Sequence, residues 1–543
     1  MPNAIFSMDP PANEPVLEYR PGSDETRRIK AALRRLRESR LEIPLIIGGR
    51  RIETNRLGRC VIPHDHGHEL AVYHQAGSKE VAMAIEAADA AAAQWAAMGW
   101  EDRLAIFTKA ADLIAGPWRM SLNAATMLGQ GKNVFQAEID SACEIIDFLR
   151  FNAYFATQIY GQQPGSGPAE WNQLEYRPLE GFVFAVTPFN FTAIGGNLPS
   201  APAMLGNTVL WKPASTAVYS AWMLMEIFMD AGLPPGVINF IPGPGGQVGD
   251  PVLASSNLAG IHFTGSTAVF RSMWKTVAEN LERYRTYPRI VGETGGKDFV
   301  FVHASADPDA VIAALIRGAF EYQGQKCSAV SRAYLPASLW EALRPKLLTT
   351  VQTIKTGSPE DFSTFVNAVI DQSAFDTITS YIEYARNHDA AEIIAGGEYD
   401  NTTGYYIDPT VILTSDPRFK TMQEEIFGPV LTLYVYDDDA FEATLDLCDQ
   451  TSPYALTGAV FARDRTAIVA ARRRLVNAAG NFYINDKPTG AVVGRQPFGG
   501  GRASGTNDKA GSILNLYRWV SPRTVKENFI PATDYRYPFM DAE

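Results

Sequence analysis

One cysteine of this chain lies where a reactive thiol is expected. Cys327 stands in the segment EYQGQKCSAVSR, on a predicted loop that follows a helix and a break at Gly324. A free cysteine is most often an inert, buried, apolar residue. Here, however, Lys326 precedes it, and loops carry a disproportionate share of reactive groups. We therefore predict that Cys327 is a nucleophile, and we assign no role to the cysteines at positions 60, 143 and 448, which lie in ordinary helical or strand contexts.

Three further polar side chains follow short apolar segments that are typical of buried strands. Glu293 stands in VGETGGK, Asn190 in VTPFNFT and Lys212 in VLWKP. Each has an ordinary explanation as a turn residue or a solvated charge. Ligands of open α/β sheets, however, gather at the carboxyl ends of the strands. Together these residues indicate a site with a candidate general base, Glu293, and an amide, Asn190, that can donate to an oxyanion.

The elements that must position these residues form two α/β units. Buried strands alternate with helices in the first unit, and this alternation predicts a doubly wound parallel sheet. The predicted strands lie at 181–189, 207–213, 237–243, 260–266 and 289–295. From residue 298 the pattern repeats, with Asp307 as the expected N-cap of a helix that begins at Pro308. We place the boundary between the two units near residue 296.

Two segments do not fit the α/β pattern. Residues 161–181 (GQQPGSGPAEWNQLEYRPLEG) are rich in Gly and Pro and flanked by strand-like sequence, which predicts a hairpin or arm. The last 30 or so residues are again strand-like and aromatic. Because an exposed strand edge invites pairing with another chain, we expect these segments to pair across a subunit interface.

Composition and charge exclude several classes of protein. The chain has 543 residues, more than one compact core usually holds, so we expect at least two domains. Uninterrupted apolar segments stay well short of the length that spans a membrane. The net charge of −12 argues against sequence-independent nucleic-acid binding, which needs a basic face. We therefore expect a small-molecule substrate, no nucleic acid and no membrane.

Cysteine spacing and the opening residues bear on the compartment. The four cysteines form no CxxC pair and have no histidine cluster nearby, so we expect no disulfide framework and no metal site. The opening stretch MPNAIFSMDPPANEP holds neither an arginine nor an apolar core, which is untypical of a signal or transit peptide. We expect a cytoplasmic protein; the alternative is a mitochondrial matrix protein whose presequence has been removed.

Glycine-rich turns give only weak evidence for a nucleotide site. The stretch IPGPGGQVGDP (241–251) does not match G-x-G-x-x-G, because the sixth position counted from Gly243 is Val248. A second short turn, FTGS (263–266), has a backbone that could approach a phosphate. Neither turn is specific by itself.

Taken together, the motifs resemble the aldehyde dehydrogenase superfamily. The segments TPFNF, WKP, FTGS, ETGGK, GQKCS and EEIFGP (424–429) occur in the order found in that family, and Cys327 follows Glu293 by the expected distance. The resemblance covers nearly the whole chain from about residue 45. The segments ETGGKDF, PTGAVVGRQPFGGGRASGTNDKAG (488–511) and LYRWVSPRTVKE further resemble the branch that oxidises L-glutamate γ-semialdehyde, the Δ1-pyrroline-5-carboxylate dehydrogenases.

The resemblance implies a fold and a domain organisation. It implies an aldehyde-dehydrogenase-like α/β fold with a Rossmann-type doubly wound NAD domain, a second α/β catalytic domain and a β oligomerisation arm. On this basis we assign residues 1–157 and 180–295 to the NAD-binding domain and residues 296–505 to the catalytic domain. The arm would comprise residues 158–179 and 506–543. The chain would then form a homodimer or a higher homo-oligomer.

The resemblance also implies a role for each site residue. Cys327 would be the nucleophile, Glu293 would activate water, and Asn190 with the Cys327 backbone N–H would form the oxyanion hole. The cofactor would contact Thr187, Pro188, Phe189, Lys212, Gly265, Ser266, Glu425 and Phe427. The substrate would contact Ser328, Gly490, Ala491 and Phe498, with the first three binding its α-carboxylate and the last lining the aldehyde pocket.

Cofactor choice and substrate choice leave alternatives. Many NAD-dependent members carry an acidic residue three positions after the lysine, whereas this chain has Ser215. The missing carboxylate removes a repulsion against a 2′-phosphate, so NAD is expected and NADP is possible. Alternative functions are another semialdehyde dehydrogenase, such as one for succinate semialdehyde, and a CoA-acylating enzyme, against which Glu293 argues. A non-catalytic protein on the same fold is the remaining alternative.

Overall fold

The computed structural model describes residues 6–541. Residues 1–5, which belong to the opening stretch and to the first domain segment discussed above, lie outside the described residues. The same holds for residues 542 and 543 at the end of the expected arm. Within residues 6–541, no helix is both long and apolar enough to cross a membrane.

Short strands and amphipathic or buried helices alternate along most of the chain. The strands are β1 (Leu41–Ile43), β2 (Leu45–Ile47), β3 (Arg50–Ile52), β4 (Leu57–Ile62), β5 (Asp65–His74), β6 (Glu170–Arg177), β7 (Phe182–Val186), β8 (Thr208–Lys212), β9 (Ile238–Phe240), β10 (Leu258–Thr264), β11 (Arg289–Glu293), β12 (Asp298–Val302), β13 (Val330–Pro336), β14 (Ala391–Ala395), β15 (Tyr399–Asp400), β16 (Tyr406–Ile407), β17 (Thr410–Thr414), β18 (Val430–Tyr436), β19 (Tyr454–Ala455), β20 (Thr457–Phe461), β21 (Asn481–Ile484), β22 (Gly501–Arg502) and β23 (Ser521–Asn528). The helices are α1 (Asp24–Glu38), α2 (Ser78–Ala97), α3 (Trp100–Leu113), α4 (Arg119–Gln130), α5 (Val134–Ala137), α6 (Ile145–Tyr160), α7 (Thr192–Met204), α8 (Val218–Ala231), α9 (Gly245–Leu253), α10 (Thr267–Glu279), α11 (Pro308–Phe320), α12 (Ala337–Gln352), α13 (Gln372–Arg386), α14 (Lys420–Gln423), α15 (Phe441–Gln450), α16 (Arg465–Arg474) and α17 (Ile513–Leu516).

The first sheet has seven strands in the spatial order β11-β10-β7-β8-β9-β2-β3. Strands β7 to β11 are parallel, and β2 and β3 add an antiparallel edge. Both faces are buried: along β7, Val183 and Ala185 pack into one hydrophobic cluster while Phe182 and Phe184 pack into another. Continuous apolar strands are required when helices cover both faces. The predicted doubly wound sheet is therefore confirmed.

The second sheet also has seven strands, in the order β14-β17-β18-β13-β12-β20-β21. It is parallel except for β14 at its edge. Successive residues of β12 again face two clusters, Val300 and Val302 on one side and Phe299 and Phe301 on the other. The chain passes from the first sheet to the second between Glu293 and Asp298.

A two-stranded ribbon stands apart from these sheets. Residues Glu170–Arg177 of β6 pair antiparallel with Ser521–Asn528 of β23 over eight positions. We expected these segments to pair across a subunit interface, but here they pair with each other inside one chain. The physical reason is that Leu516, Trp519 and Val520 pack into the first core, which brings the following strand alongside β6. Within residues 6–541 neither strand has another partner.

Helix boundaries follow their local signals with one exception. Helix α8 ends at Gly232, which adopts φ +101°, and Asp307 caps α11 by accepting hydrogen bonds from the backbone N–H groups of residues 309 and 310. Helix α3 is the exception, because it continues through a π-helical turn at Ile114–Trp118 into α4. This wider turn accommodates Pro117, which has no N–H to donate.

Candidate active site

The polar residues singled out in the sequence lie along one edge of the first sheet. Glu293 is the last residue of β11, Lys212 is the last residue of β8, and Asn190 follows β7 by four residues. Gly265 and Ser266 come directly after β10, which lies between β11 and β7. Because these strands are parallel and adjacent, their carboxyl ends meet at the same edge. The structure thus assembles residues from four strands at one place.

Cys327 reaches this edge on a sharply bent loop after α11. Tyr322, Gln323 and Gly324 adopt φ values of +53°, +55° and +67°, a left-handed conformation that is costly for residues other than glycine. The Gln323 side chain holds the bend, because its Nε2 donates to the carbonyl oxygens of Gly131 and Ala368 at 2.9 Å each. Cys327 itself remains partly exposed.

Two glycines let the backbone segments at the site approach each other. A Cβ atom at Gly296 would lie 2.2 Å from the Cys327 carbonyl oxygen, and one at Gly295 would lie 2.1 Å from Glu425 Oε2. Any side chain at these two positions would push the segments apart. Glu425 Oε1 also accepts a hydrogen bond of 2.9 Å from the Gly296 N–H. The ETGGK segment is therefore the point where the nucleophile loop and the EEIFGP loop meet.

Polar contacts tie the Cys327 loop to its surroundings. The Asn190 amide Nδ2 donates to the Gln325 carbonyl oxygen at 3.1 Å and is buried. Lys326 Nζ forms a buried ion pair with Glu321 at 2.9 Å. The structure therefore brings Asn190 beside the loop that carries the nucleophile. The ammonium next to Cys327 is directed to a carboxylate rather than to the thiol.

The electrostatic environment disfavours charge on both reactive groups. Burial, together with the negative charges of Asp298, Glu293 and Glu425, raises the pKa of the Cys327 thiol. Burial also raises the pKa of Glu293, which Lys509 opposes and Asp508 reinforces. Glu293 Oε2 is buried with no hydrogen-bond partner in the described part of the chain. Cys327 therefore rests as a thiol, and Glu293 can act as a base at a pH above its raised pKa.

The cofactor candidates form a second group at the same edge. The rings of Phe189 and Phe427 contact edge to face at 5.8 Å, and Thr187 Oγ1 accepts a hydrogen bond of 3.1 Å from Trp211. Pro188 connects Thr187 and Phe189, and both Pro188 and Phe189 are partly exposed. Burial raises the pKa of Glu425 to about 7.

Two features of this group suit a phosphate-bearing cofactor. Burial lowers the pKa of Lys212, and its Nζ has no hydrogen-bond or ion-pair partner among residues 6–541. Ser266 caps α10 by accepting from the Val269 N–H, so the positive end of that helix dipole lies beside Gly265. A lysine without a partner and a helix N-terminus provide the charges that a pyrophosphate and a ribose need.

The substrate candidates lie on two segments, the Cys327 loop and residues 490–498. The hydroxyl groups of Ser328 and Thr489 hydrogen bond at 2.8 Å, which links the Cys327 loop to the segment that carries Gly490 and Ala491. Gly490 is exposed and adopts φ +88°, a conformation that glycine adopts without strain. Phe498 is fixed by a backbone bridge to Ala510. We call Ser328 and the backbone at Gly490 and Ala491 the donor-bearing rim.

Several ionisable residues near the site gave no signal in the sequence. Glu144 is a partly buried carboxyl group whose pKa burial and Asp140 raise to about 8. Lys132 and Asp140 form a fully buried ion pair of 2.6 Å, and Asp140 also accepts from the N–H groups at the start of α7. Lys509 lies near Glu293. Their burial and their charged neighbours depend on the fold, and none of them was singled out in the sequence.

One surface groove lies away from these residues. It encloses about 780 Å³ between α11 and α12, and its lining includes Arg317, Lys346 and Lys355 but none of the site candidates. Among residues 6–541, no group of three His, Cys, Asp or Glu side chains is arranged to hold a metal ion.

Comparison with known proteins gives matches over almost the whole chain. The aldehyde dehydrogenase family model matches residues 53–525. The chain is 55% identical over 533 residues to the mitochondrial Δ1-pyrroline-5-carboxylate dehydrogenase of Dictyostelium discoideum, covering 98% of this chain and 96% of that protein. It is 50% identical over 530 residues to the human mitochondrial protein of the same name, covering 97% and 94%. The NAD-bound crystal structure of Δ-pyrroline-5-carboxylate dehydrogenase from Mycobacterium tuberculosis superposes with a TM-score of 0.96 at 53% identity, covering 99% of this chain and 100% of that one.

Proposed function

Because this chain belongs to the aldehyde dehydrogenase family, we propose that it oxidises L-glutamate γ-semialdehyde to L-glutamate, with NAD as the hydride acceptor. The semialdehyde is the ring-opened form of Δ1-pyrroline-5-carboxylate, so the reaction belongs to proline catabolism. Relatives at 50–55% identity carry that activity in their names. The observation in the structure that carries the proposal is the meeting of Cys327, Glu293 and Asn190 at one sheet edge beside the donor-bearing rim at Ser328 and Gly490.

In the first step the Cys327 sulfur attacks the aldehyde carbon. The thiol must lose its proton for this attack, because the thiolate is the reactive form. Its raised pKa means that it rests protonated. Glu293, whose charge acts on the thiol, is the base we assign to this proton. The aldehyde oxygen becomes an alkoxide as the carbon–sulfur bond forms.

Asn190 is placed to stabilise that alkoxide. A side-chain amide has two N–H donors, and Asn190 uses one of them on the Gln325 carbonyl. The bond to Gln325 fixes the amide and leaves the second N–H for the oxyanion. The Cys327 backbone N–H is the other donor we assign. Removal of one such donor typically raises the barrier by about 3–4 kcal/mol.

NAD, when bound, accepts the hydride that the alkoxide expels, which leaves a thioester on Cys327. Lys212, Gly265 and Ser266 would hold the ribose and pyrophosphate, with Glu425 and Phe427 at the nicotinamide ribose. The partnerless Lys212 ammonium and the N-terminus of α10 fit this role. Ser215, an exposed residue just beyond Lys212, places no carboxylate against a 2′-phosphate, so we expect some turnover with NADP as well.

Hydrolysis of the thioester completes the cycle. After Glu293 has released the first proton to solvent, a water molecule attacks the thioester carbon and Glu293 takes the proton of that water. The carbon–sulfur bond then breaks, which releases the acid and the Cys327 thiolate, and the thiolate is protonated again. Glu293 suits this step because it is held at the end of β11 and is free of hydrogen bonds at Oε2.

Ser328, Gly490 and Ala491 are the residues we assign to the α-carboxylate of the substrate. Backbone N–H groups in a glycine-containing loop form an anion-binding nest, and Gly490 has the left-handed conformation typical of one. The Ser328–Thr489 hydrogen bond holds this loop at a fixed place relative to Cys327. Phe498 would line the pocket that holds the aldehyde. An anchored carboxylate on a short chain selects a semialdehyde of defined length.

We propose the domain division stated above: an NAD-binding domain (1–157 and 180–295), a catalytic domain (296–505) and an arm (158–179 and 506–543). The ribbon of β6 and β23 is the part of the arm segments that forms a separate two-stranded sheet. It exposes Trp171 near its tip and Phe529 and Ile530 after its end. Such apolar groups on unpaired strand edges favour a homo-oligomer built through the ribbon.

We propose a reducing compartment for this protein. All four cysteines are unpaired in the structure. The cytoplasm is our expectation from the sequence. The relatives from Dictyostelium discoideum and human are named as mitochondrial, which favours the matrix as the alternative. Fractionation of cells that express the native gene would distinguish the two.

A steady-state assay tests the proposed function. The purified protein is incubated with Δ1-pyrroline-5-carboxylate, succinate semialdehyde or pentanal, and with NAD or NADP, and reduced cofactor is followed by absorbance. We expect the highest kcat/KM with Δ1-pyrroline-5-carboxylate and NAD. A higher value for succinate semialdehyde would contradict the substrate assignment, and no turnover of any aldehyde would contradict the enzyme itself.

A further inference from the structure

Lys509 occupies an unusual position behind the hydrolytic carboxylate. Its Nζ donates to the carbonyl oxygens of Gly480 and Gly499 at 2.8 and 2.9 Å and contacts Asn481 Oδ1 at 3.4 Å. All three acceptors are neutral, and within residues 6–541 the ammonium forms no ion pair within 4 Å. The contacts therefore fix the position of the ammonium without cancelling its charge.

Lys509 and Glu293 both lie against the backbone of Gly499. The Gly499 carbonyl accepts from Lys509, and a Cβ atom at Gly499 would lie 2.8 Å from Glu293 Oε1. The same point lies 3.3 Å from the Asn507 side-chain oxygen. The Glu293 carboxylate therefore packs against bare backbone, on a segment that the Lys509 ammonium holds in place.

We propose that Lys509 is a positioning residue for deacylation: its ammonium is the fixed counter-charge of Glu293, and it holds the Gly499 backbone against which that carboxylate is aligned. This inference rests on the proposed role of Glu293 as the hydrolytic base. Lys509 itself touches neither the substrate nor the cofactor.

The charges that face Glu293 have opposite effects. Burial raises the pKa of Glu293, the positive charge of Lys509 lowers it, and the negative charge of Asp508 raises it. The Cys327 thiol is the other ionisable group at the carboxylate, and it is neutral at rest. Asp508 accepts a hydrogen bond from Thr506 and lies 3.4 Å from Arg518, so its charge is partly compensated. Lys509 has no charged partner within 4 Å among residues 6–541.

The test is the pH dependence of acyl-enzyme hydrolysis, measured by acid quench after a single turnover with Δ1-pyrroline-5-carboxylate and NAD. Glu293 acts as a base only when ionised, so hydrolysis slows as pH falls through its pKa. In Lys509→Met the counter-charge is lost, and the midpoint should move up by about one pH unit. Hydrolysis below the midpoint should then slow about tenfold, while the amplitude of the reduced-cofactor burst stays unchanged. Lys509→Arg should retain most of the wild-type profile.

Asp508→Asn is the matched control, for which we expect a shift of the pH midpoint in the opposite direction. Loss of a negative charge should move the midpoint down, whereas a general loosening of the 498–511 segment would slow hydrolysis in both variants without moving either midpoint. An unchanged midpoint in Lys509→Met, or a shift in the same direction in both variants, would overturn the proposal. If Lys509→Met does not fold, the midpoint shift in Asp508→Asn and the pH profile of hydrolysis in Lys509→Arg test the proposal instead. Absence of a burst in the wild-type protein would instead contradict the proposed function.

Discussion

At the scale of single residues, the environment of Cys327 distinguishes it from the other three cysteines. Cys60, Cys143 and Cys448 are buried, and burial raises the pKa of each thiol to about 12. Cys327 alone is partly exposed, beside a carboxylate that can take its proton. Accessibility and a neighbouring base, rather than a low resting pKa, are the reasons why we propose Cys327 as the nucleophile.

Cys327→Ser should abolish dehydrogenase activity. A hydroxyl group has a much higher pKa than a thiol, and Glu293 is too weak a base to ionise it near neutral pH. Formation of reduced cofactor from Δ1-pyrroline-5-carboxylate measures the effect. Cys60→Ala is the control, because that thiol lies in β4 away from the site, and it should leave the rate within about twofold. Retention of about a tenth of the wild-type rate in Cys327→Ser would disprove the assignment.

Glu293→Gln should slow thioester hydrolysis more than hydride transfer. An amide cannot accept the proton of water, and general-base catalysis typically contributes about 10²–10⁴-fold. Stopped-flow absorbance should show a burst of reduced cofactor followed by turnover at least about 10²-fold slower than in the wild type. The burst should also form more slowly than in the wild type, because water must then accept the Cys327 proton in place of Glu293. Thioester hydrolysis at the wild-type rate in this variant would contradict the general-base role.

The wild-type rate of hydrolysis should fall at a higher pH than an ordinary carboxylate would predict. Burial raises the pKa of Glu293, and the base must be ionised to act, so activity is present above that pKa and lost below it. The pH dependence of acyl-enzyme hydrolysis measures the midpoint. A midpoint near 4.3, the usual value for glutamate, would show that water or the bound substrate relieves the burial.

At the scale of elements, the rim that carries Gly490 and Ala491 should set substrate choice. Ala491→Pro deletes one backbone N–H and keeps the side chain small. Because a hydrogen bond to a charged group contributes about 1.5–3 kcal/mol, kcat/KM for glutamate semialdehyde should fall roughly 10- to 100-fold. The value for pentanal, which has no carboxylate, should change little. Ala491→Gly keeps the N–H and is the control.

The same rim explains discrimination in the wild-type protein. Donors left unpaired by an uncharged aldehyde cost about 1–3 kcal/mol each, so two or three give a preference on the order of a hundredfold or more. Equal kcat/KM for glutamate semialdehyde and pentanal would refute the anchor while leaving the aldehyde dehydrogenase chemistry intact.

At the scale of the whole molecule, the β6–β23 ribbon should join subunits. Sedimentation velocity at micromolar concentration should show a dimer or a larger species. Phe529→Asp combined with Ile530→Asp should shift the population toward smaller species, because two charges would be buried against the partner chain. Val476→Asp, at an exposed apolar residue after α16, is the control and should not change the assembly. A wild-type protein that sediments only as a monomer would exclude the ribbon as an interface.

The sequence by itself determined the chemistry and the framework of this protein. The alternation of apolar segments with helices predicted the doubly wound sheet, and the polar residues after those segments predicted the edge where the site lies. This succeeded because a parallel sheet places the carboxyl ends of its strands side by side, so a local signal implies a shared location. The unusual sequence neighbours of Cys327 and of Glu293 could likewise be recognised from the sequence alone.

Only the tertiary structure decided which distant segments meet. Periodicity states which face a residue occupies but not its partner, so the pairing of β6 with β23 inside one chain was predicted wrongly as pairing between chains. Lys509, Asp508 and Glu144 were not singled out in the sequence, although the first two lie in the quoted segment 488–511, because their burial and the charges around them are set by the fold. Electrostatic interactions depend on the distances between charges, and these distances are set only when the chain has folded.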